Sequence, residues 1–283
     1  MIMKEEVNLE YSVLMSVYIK EKPEFLERAL ESIYNQTLKP REVILVKDGL
    51  LTEELETIIS KEIRKFNESN IDFTCIQLEK NMGLGTALQT GLEKCDCDYI
   101  ARMDSDDIAV SDRLEKQVNY IKNNSQVSVV GGYINEFVKE GKVIRTKTMP
   151  LNYEELYKYG KYRNPLNHMT VFFRKKDVLD AGGYKPMKGL EDYYLWSRML
   201  AKGYKIGNID QVLVNARLGN FANRMGGWEY FVTYCKLRKI QNKLGYTNIF
   251  ELISGVIFTA MITLPPMWQM VLATIVQFGL AIP

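Results

Sequence analysis

Residues Tyr99–Asp107 read YIARMDSDD. The first five form a short, mostly apolar run of the kind that makes a buried strand, and the run ends abruptly on three acids within four residues. Carboxylates two apart beyond a buried strand can hold a hard divalent cation, and such a cation can bridge a diphosphate. A bare Asp-x-Asp is more often an exposed acidic turn, so its neighbours must decide. A calcium loop starting at Asp104 would have Asp112 and Glu115 at suitable positions. Its fifth and sixth positions, however, are Ile108 and Ala109, where an oxygen ligand and a glycine are required. The upstream residues are also strand-like rather than helical, and the calcium loop is excluded.

Upstream, strand and helix patterns alternate. Val13–Val17 is a buried-strand run, and Pro23 opens a helix with Phe25, Leu26, Ala29, Leu30 and Ile33 on one face. Val43–Val46 is a second strand, ended by Asp48-Gly49. Thr52 caps a second helix whose first turn carries Glu53 and Glu54. Phe73–Leu78 is a third strand, and residues 83–94 a third helix. This order predicts an α/β fold: a Rossmann-like, mostly parallel sheet flanked by helices. Ligands of such sheets bind beyond the carboxyl ends of the strands, where Asp48 and Asp104 both fall. Asp-Gly alone is usually a turn; its interest lies in sharing that edge with Asp104. Asn81-Met82-Gly83-Leu84-Gly85 can present backbone amides to a phosphate at a helix start, but carries neither a dinucleotide fingerprint nor a Walker loop.

The second half is less regular. Val127–Val130 reads as a strand ending at Gly131-Gly132, followed by a hairpin of residues 133–138 and 143–148 about Glu140-Gly141. Met169–Phe173 reads as a strand after His168. Residues 191–202 form a helix stopped by Gly203, and residues 228–245 a long helix with a basic outer face. Taken singly, Glu191-Asp192 reads as dipole capping or as a general base. His168 reads as a structural hydrogen-bonder, and Arg217 and Arg224 as surface residues or as a diphosphate clamp.

The 283 residues allow one or two domains, and 46% hydrophobic with 25% charged residues is ordinary globular composition. The formal charge of +2 does not suggest nucleic-acid binding. Cys75, Cys95, Cys97 and Cys235 form neither a disulfide scaffold nor, with the single histidine, a zinc set. The N-terminus is too acidic for a signal peptide, which predicts a cytoplasmic protein. From Leu252 to Pro283 there is no Asp, Glu, Lys or Arg. Pro265-Pro266 divides that run into pieces shorter than the roughly 20 residues a span needs. Lys236, Arg238, Lys239 and Lys243 lie just upstream, in reach of anionic lipid. The reading is a unit at 1–227 followed by a basic helix and an apolar, helical, membrane-associated tail at 228–283. It predicts in-plane attachment on the inner membrane face.

Together these segments resemble a family 2 glycosyltransferase of the GT-A fold, of the capsule and exopolysaccharide type. The likeness runs through Val13–Tyr18, LERALESIYNQTLKP at 26–40, VILVKDG at 43–49, NMGLGTALQTG at 81–91 and YIARMDSDD. It continues through PLNHMTVFFRK at 165–175, GLEDYYLWSR at 189–198 and the segment 224–228. The resemblance implies a donor-binding set of Val17, Asp48, Asn81, Arg102, Asp104, Ser105 and Asp106. Within it, Asp48 reads the base, and Asp106 with Asp104 holds Mn²⁺ or Mg²⁺. It makes Asp192 the general base, and puts His168, Glu191, Arg217 and Arg224 against the acceptor or the diphosphate. The expected donor is a nucleotide diphosphate sugar, and the expected acceptor a polyprenyl-diphosphate-linked saccharide. The QxxRW motif of processive synthases is absent, which implies addition of one sugar at a time; one general base and direct displacement imply inversion. The alternatives are a nucleotidyltransferase, which would carry a glycine-rich loop where Tyr18–Lys22 stands, and a non-catalytic membrane-associated nucleotide-sugar-binding protein.

Overall fold

The computed structural model describes residues 9–219 and 227–263. Four strands, β1 (Tyr11–Val17), β2 (Glu42–Lys47), β3 (Asp72–Gln77) and β4 (Tyr99–Met103), run parallel in the order β3-β2-β1-β4. They are connected by α1 (Pro23–Tyr34), α2 (Glu53–Glu68) and α3 (Leu84–Lys94). Alternate residues of the buried strands face two different cores. Val13, Met15, Val43 and Leu45 pack with α1 and α2 on one side, and Leu14, Ile44 and Val46 with α3 on the other. Gly91 lets α3 lie directly on the sheet, since a Cβ there would sit 2.4 Å from Leu14 and 2.7 Å from Val46.

The sheet continues past β4 with β5 (Ile108–Ala109), β6 (Val127–Phe137), β7 (Val143–Lys147), β8 (Phe172–Arg174) and β9 (Lys205–Arg217). The order is β4-β8-β6-β9-β5, with β7 paired to β6. Here the pairing is mixed: β8 runs antiparallel to β4 and β6, β9 parallel to β6, and β5 antiparallel to β9. The helices of this half are α4 (Arg113–Asn123), α5 (Tyr153–Tyr159), α6 (Lys175–Asp180), α7 (Glu191–Ala201), α8 (Trp228–Lys243) and α9 (Ile249–Thr263).

Two expected boundaries differ. β6 runs straight through Gly131-Gly132 instead of ending there. A Cβ at Gly132 would meet Leu213 at 2.5 Å, so the missing side chain allows β9 to pair alongside, with register shifts around Tyr133. The strand expected at Met169–Phe173 starts at Phe172, because His168–Thr170 is a 3₁₀ turn. The Thr170 hydroxyl and amide both donate to the Asn167 carbonyl there, holding the turn.

The long helix expected after Gly227 is present as α8, with Lys236, Lys239 and Lys243 exposed. Arg238 is not part of that basic face. It is 1% exposed and donates to the carbonyls of Lys161 and Tyr162, to the Tyr193 hydroxyl at 2.9 Å and to Gln241 at 2.9 Å. Helix α9 packs back on α8, with Gly255 against the Arg238 side chain. No helix among the described residues is long and apolar enough to cross a membrane. Arg224, Pro265-Pro266 and the rest of the apolar run lie outside the described residues.

Candidate active site

Parallel pairing puts the ends of β1, β2 and β4 at one edge. The Asp48 amide donates to the Val17 carbonyl at 2.8 Å, so the first two strand ends are tied together. The Asp48 carboxylate then accepts from the backbone amides of Met82 (2.6 Å) and Gly83 (3.0 Å), and the Asn81 side-chain amide reaches the Asp48 carbonyl at 3.4 Å. Asp48 therefore shapes the turn that starts α3. Gly49 makes the approach possible. Its φ is +90°, and a Cβ on it would sit 2.8 Å from the Asn81 nitrogen.

At the end of β4 three acids crowd together. Asp104 is held by both terminal nitrogens of Arg102, one at 2.7 Å. Ser105 donates to Glu21 at 2.5 Å, which brings the loop after β1 against the acidic turn. The buried Asp107 accepts from the Arg217 amide at 2.7 Å. No ion pair reaches Asp106 among the described residues. Desolvation, helped by the charges of Asp104 and Glu21, pushes its carboxyl up to about 7. Asp107 is likewise raised, by burial and by both neighbouring acids. Beneath them Arg113, fully buried, donates to the Arg102 carbonyl at 2.7 Å. Burial and the charge of Arg102 hold it down to about 9.

Such a surplus of crowded carboxylate charge suits a divalent cation, which would relieve the repulsion. No group of three or more His, Cys, Asp or Glu side chains forms a metal cage among the described residues. Asp106 and the neighbouring Asp104 would be the residues to hold such an ion, which would supply positive charge there.

Asp192 lies in the first turn of α7. Its carboxylate accepts from the Asn164 side-chain amide at 2.5 Å and from the Tyr193 amide at 2.7 Å, which fixes its orientation. Desolvation raises its pKa, and the hydrogen bonds and the charge of Arg102 act in the opposite direction. Arg102 thus serves both sides of the site: it grips Asp104 and acts on Asp192. Glu191 packs on Gly85 at the start of α3 and accepts from the Gly189 amide at 3.2 Å, joining α7 to the Asn81–Gly85 turn. The His168 Nε2 is 3.0 Å from the Tyr184 hydroxyl. Burial, with Arg102 nearby, pushes His168 well below its ordinary pKa, so the ring is neutral near pH 7. Arg217 lies against the acidic turn: its Nε donates to the Asp106 carbonyl at 3.0 Å, and its guanidinium is 3.8 Å from the Phe25 ring and 4.6 Å from that of Phe137.

The structure thus gathers Val17, Asp48 and Asn81 at one strand end, and Arg102, Asp104, Ser105, Asp106 and Arg217 at another. The charge of Arg102 links these to His168 and Asp192. Reading the sequence missed Glu21, Arg113 and Asn164. Only Glu21 carried a usable signal, an acid in the loop that follows a parallel strand.

The family model described as "Glycosyl transferase family 2" matches residues 12–183. The chain is 38% identical over 239 residues to the amylovoran biosynthesis glycosyltransferase AmsE of Erwinia amylovora, covering 84% of this chain and 88% of that one. It is 38% identical over 259 residues to an Escherichia coli UDP-Gal:alpha-D-GlcNAc-diphosphoundecaprenol beta-1,3-galactosyltransferase, covering 91% and 92%. Among solved structures, S. aureus TarS in complex with UDP-GlcNAc superposes with a TM-score of 0.67 at 17% identity, over 90% of this chain and 74% of that one. A Pyrobaculum calidifontis mannosyltransferase in complex with GDP-Man and Mn²⁺ gives a TM-score of 0.60 at 16% identity, over 96% and 80%. The GT-A fold expected from the sequence is the fold observed.

Proposed function

This chain belongs to glycosyl transferase family 2, and from that premise we propose that it is an inverting, metal-dependent, non-processive enzyme of cell-surface polysaccharide assembly. The donor is a nucleotide diphosphate sugar, and the acceptor a saccharide on a polyprenyl diphosphate. Residues 1–227 carry the chemistry, and 228–283 bring the protein to the inner face of the cell membrane.

The observation that carries this reading is Arg102. One buried guanidinium grips Asp104 in the acidic turn and also acts on Asp192. The guanidinium pairs directly with the acid on the metal side, and its charge favours the ionised form of the proposed base.

In the proposed reaction, Asp48 and the Asn81–Gly83 turn seat the nucleotide. Asp106, with Asp104 alongside, would hold Mn²⁺ or Mg²⁺, which when bound would supply charge neutralisation for a leaving diphosphate. Asp192 accepts the proton of the attacking acceptor hydroxyl as the new bond to the anomeric carbon forms. The old bond to the diphosphate oxygen breaks, and the nucleoside diphosphate leaves with the electron pair. A single displacement inverts the anomeric carbon. Asn164 and the Tyr193 amide aim the carboxylate, and Arg217 braces the acidic turn from below.

The test is a screen of nucleotide sugars for hydrolysis with Mn²⁺ and with EDTA, followed by Asp192→Asn. The expected result is metal-dependent release of nucleoside diphosphate from one donor. The variant should keep donor affinity and lose turnover by about 10²- to 10⁴-fold. Turnover within a few-fold of wild type would return Asp192 to helix capping.

A further inference from the structure

A cavity of about 440 Å³ is lined by Tyr159, Tyr162, Arg163, Ser254 and Phe258. Its walls are one short segment of chain and one stripe of α9. Lys161 pairs with Glu251 at 2.6 Å, the Tyr162 hydroxyl is 3.4 Å from that of Ser254, and Arg163 lies 5.0 Å from the Phe258 ring centroid. Residues 251, 254 and 258 are three and four apart, so they share a helix face. The same segment leads straight into Asn164, whose amide holds Asp192. Arg163 is therefore the chain neighbour of the residue that orients Asp192.

The cavity combines apolar rings with a cation. Aromatic rings line it beside a guanidinium. Arg163 is exposed and has no carboxylate partner among the described residues. Lys147, on the edge strand β7, is within electrostatic reach of both Asp192 and Arg163. Beyond the cavity mouth, α9 exposes Ile249, Phe250 and Ile253, at 54%, 80% and 53%. Phe250 is one turn from Ser254 and two from Phe258, so the apolar stripe continues from the cavity to the surface. From Asp192 the succession of contacts and chain neighbours runs through Asn164 to Arg163, from Arg163 to the Phe258 ring, and along α9 to the exposed Phe250.

We infer that this cavity is the seat of the acceptor's carrier: Arg163 pairs with the diphosphate, and Tyr159, Tyr162, Phe258 and the outer stripe of α9 receive the first isoprene units. The inference rests on the lipid-linked acceptor proposed above. A saccharide on a polyprenyl diphosphate has its parts in this order, with the reactive hydroxyl at one end, two negative charges next and an apolar chain last. A guanidinium offers the two-pronged hydrogen bonding a diphosphate accepts. The volume is that of a small-molecule site.

The experiment is calorimetric titration of the full chain, in EDTA, with farnesyl diphosphate, farnesol and inorganic diphosphate. Farnesyl diphosphate should bind at least tenfold more tightly than either part alone. Arg163→Ala and Phe258→Ala should each weaken it tenfold or more. Absence of binding by the wild type, or unchanged affinity in both variants, would overturn the inference. So would Arg163→Ala losing binding to phosphatidylglycerol vesicles while keeping farnesyl diphosphate, because the occupant would then be the membrane surface. Nucleotide-sugar hydrolysis by the wild type is read separately: its failure would remove the transferase mechanism and leave the titration result standing.

Discussion

Asp106 sits where stability and activity oppose each other. A carboxyl held near 7 in the fold, against 3.8 ordinarily, is one the fold prefers protonated. Its contribution to stability is complete below about pH 4 and is lost as the pH rises towards 7. Asp106→Asn mimics the protonated form. In EDTA it should melt close to wild type at pH 4 and above it at pH 8, with activity lost at both. Equal melting temperatures at pH 8 would mean that the crowding around Asp106 is not felt. Gly49 is the second residue with a sharp expectation. Gly49→Ala places a methyl against the Asn81 backbone at a φ of +90°. The Asn81–Gly83 turn must move, and nucleotide binding should weaken with it. Unchanged nucleotide affinity would separate the turn from donor binding.

The elements that matter most for the acceptor side are α7 and α8, joined by Arg238. Tyr193, Tyr234 and Leu237 form the apolar part of their contact, and Arg238 with Gln241 the polar part. Removing the guanidinium takes the donor from the Lys161 and Tyr162 carbonyls and from the Gln241 side-chain oxygen, at about 1–3 kcal/mol for each unmet group; the Tyr193 hydroxyl keeps its bond to the Gly160 carbonyl. Arg238→Ala should lower the melting temperature markedly. Because Lys161 and Tyr162 lead to Asn164, it should also lower kcat more than it raises KM for the donor. A proportionate loss in both would mean that Arg238 only stabilises. A basic residue beside an apolar segment reads as membrane-facing by composition. Here three of four such residues do face outward, and the fourth is a buried clamp, a distinction that helical spacing alone could not make.

At the scale of the molecule, the C-terminal run divides into a part that belongs to the fold and a part defined only by its sequence. Helix α9 buries Thr259, Ala260 and Thr263 and covers Arg238 through Gly255. Deleting everything from Leu252 should therefore destabilise the catalytic unit. On the membrane attachment proposed above, deleting only 264–283, which carries no charged residue, should move the protein from the membrane to the soluble fraction. Retention on membranes after that deletion would shift the attachment to α8 and α9.

By itself the sequence determined the alternation of strand and helix up to Met103, the edge at which Asp48 and the acidic turn meet, and the family. Those are properties of local periodicity and of short motifs, because a buried strand or a helix face is written in consecutive residues. It left open the partners of those motifs. The β5–β9 pairing brings Arg217 against Asp107 across 110 residues. Arg102 lies buried with its guanidinium on Asp104, and the fold of α9 against Tyr159–Arg163 makes the cavity described above. Hydrophobic spacing says which face of an element is buried but not what it is buried against. That choice is made by the assembled sheet and the helices that close on it, so the candidate residues could be named from the chain while their relation to one another was decided only in three dimensions.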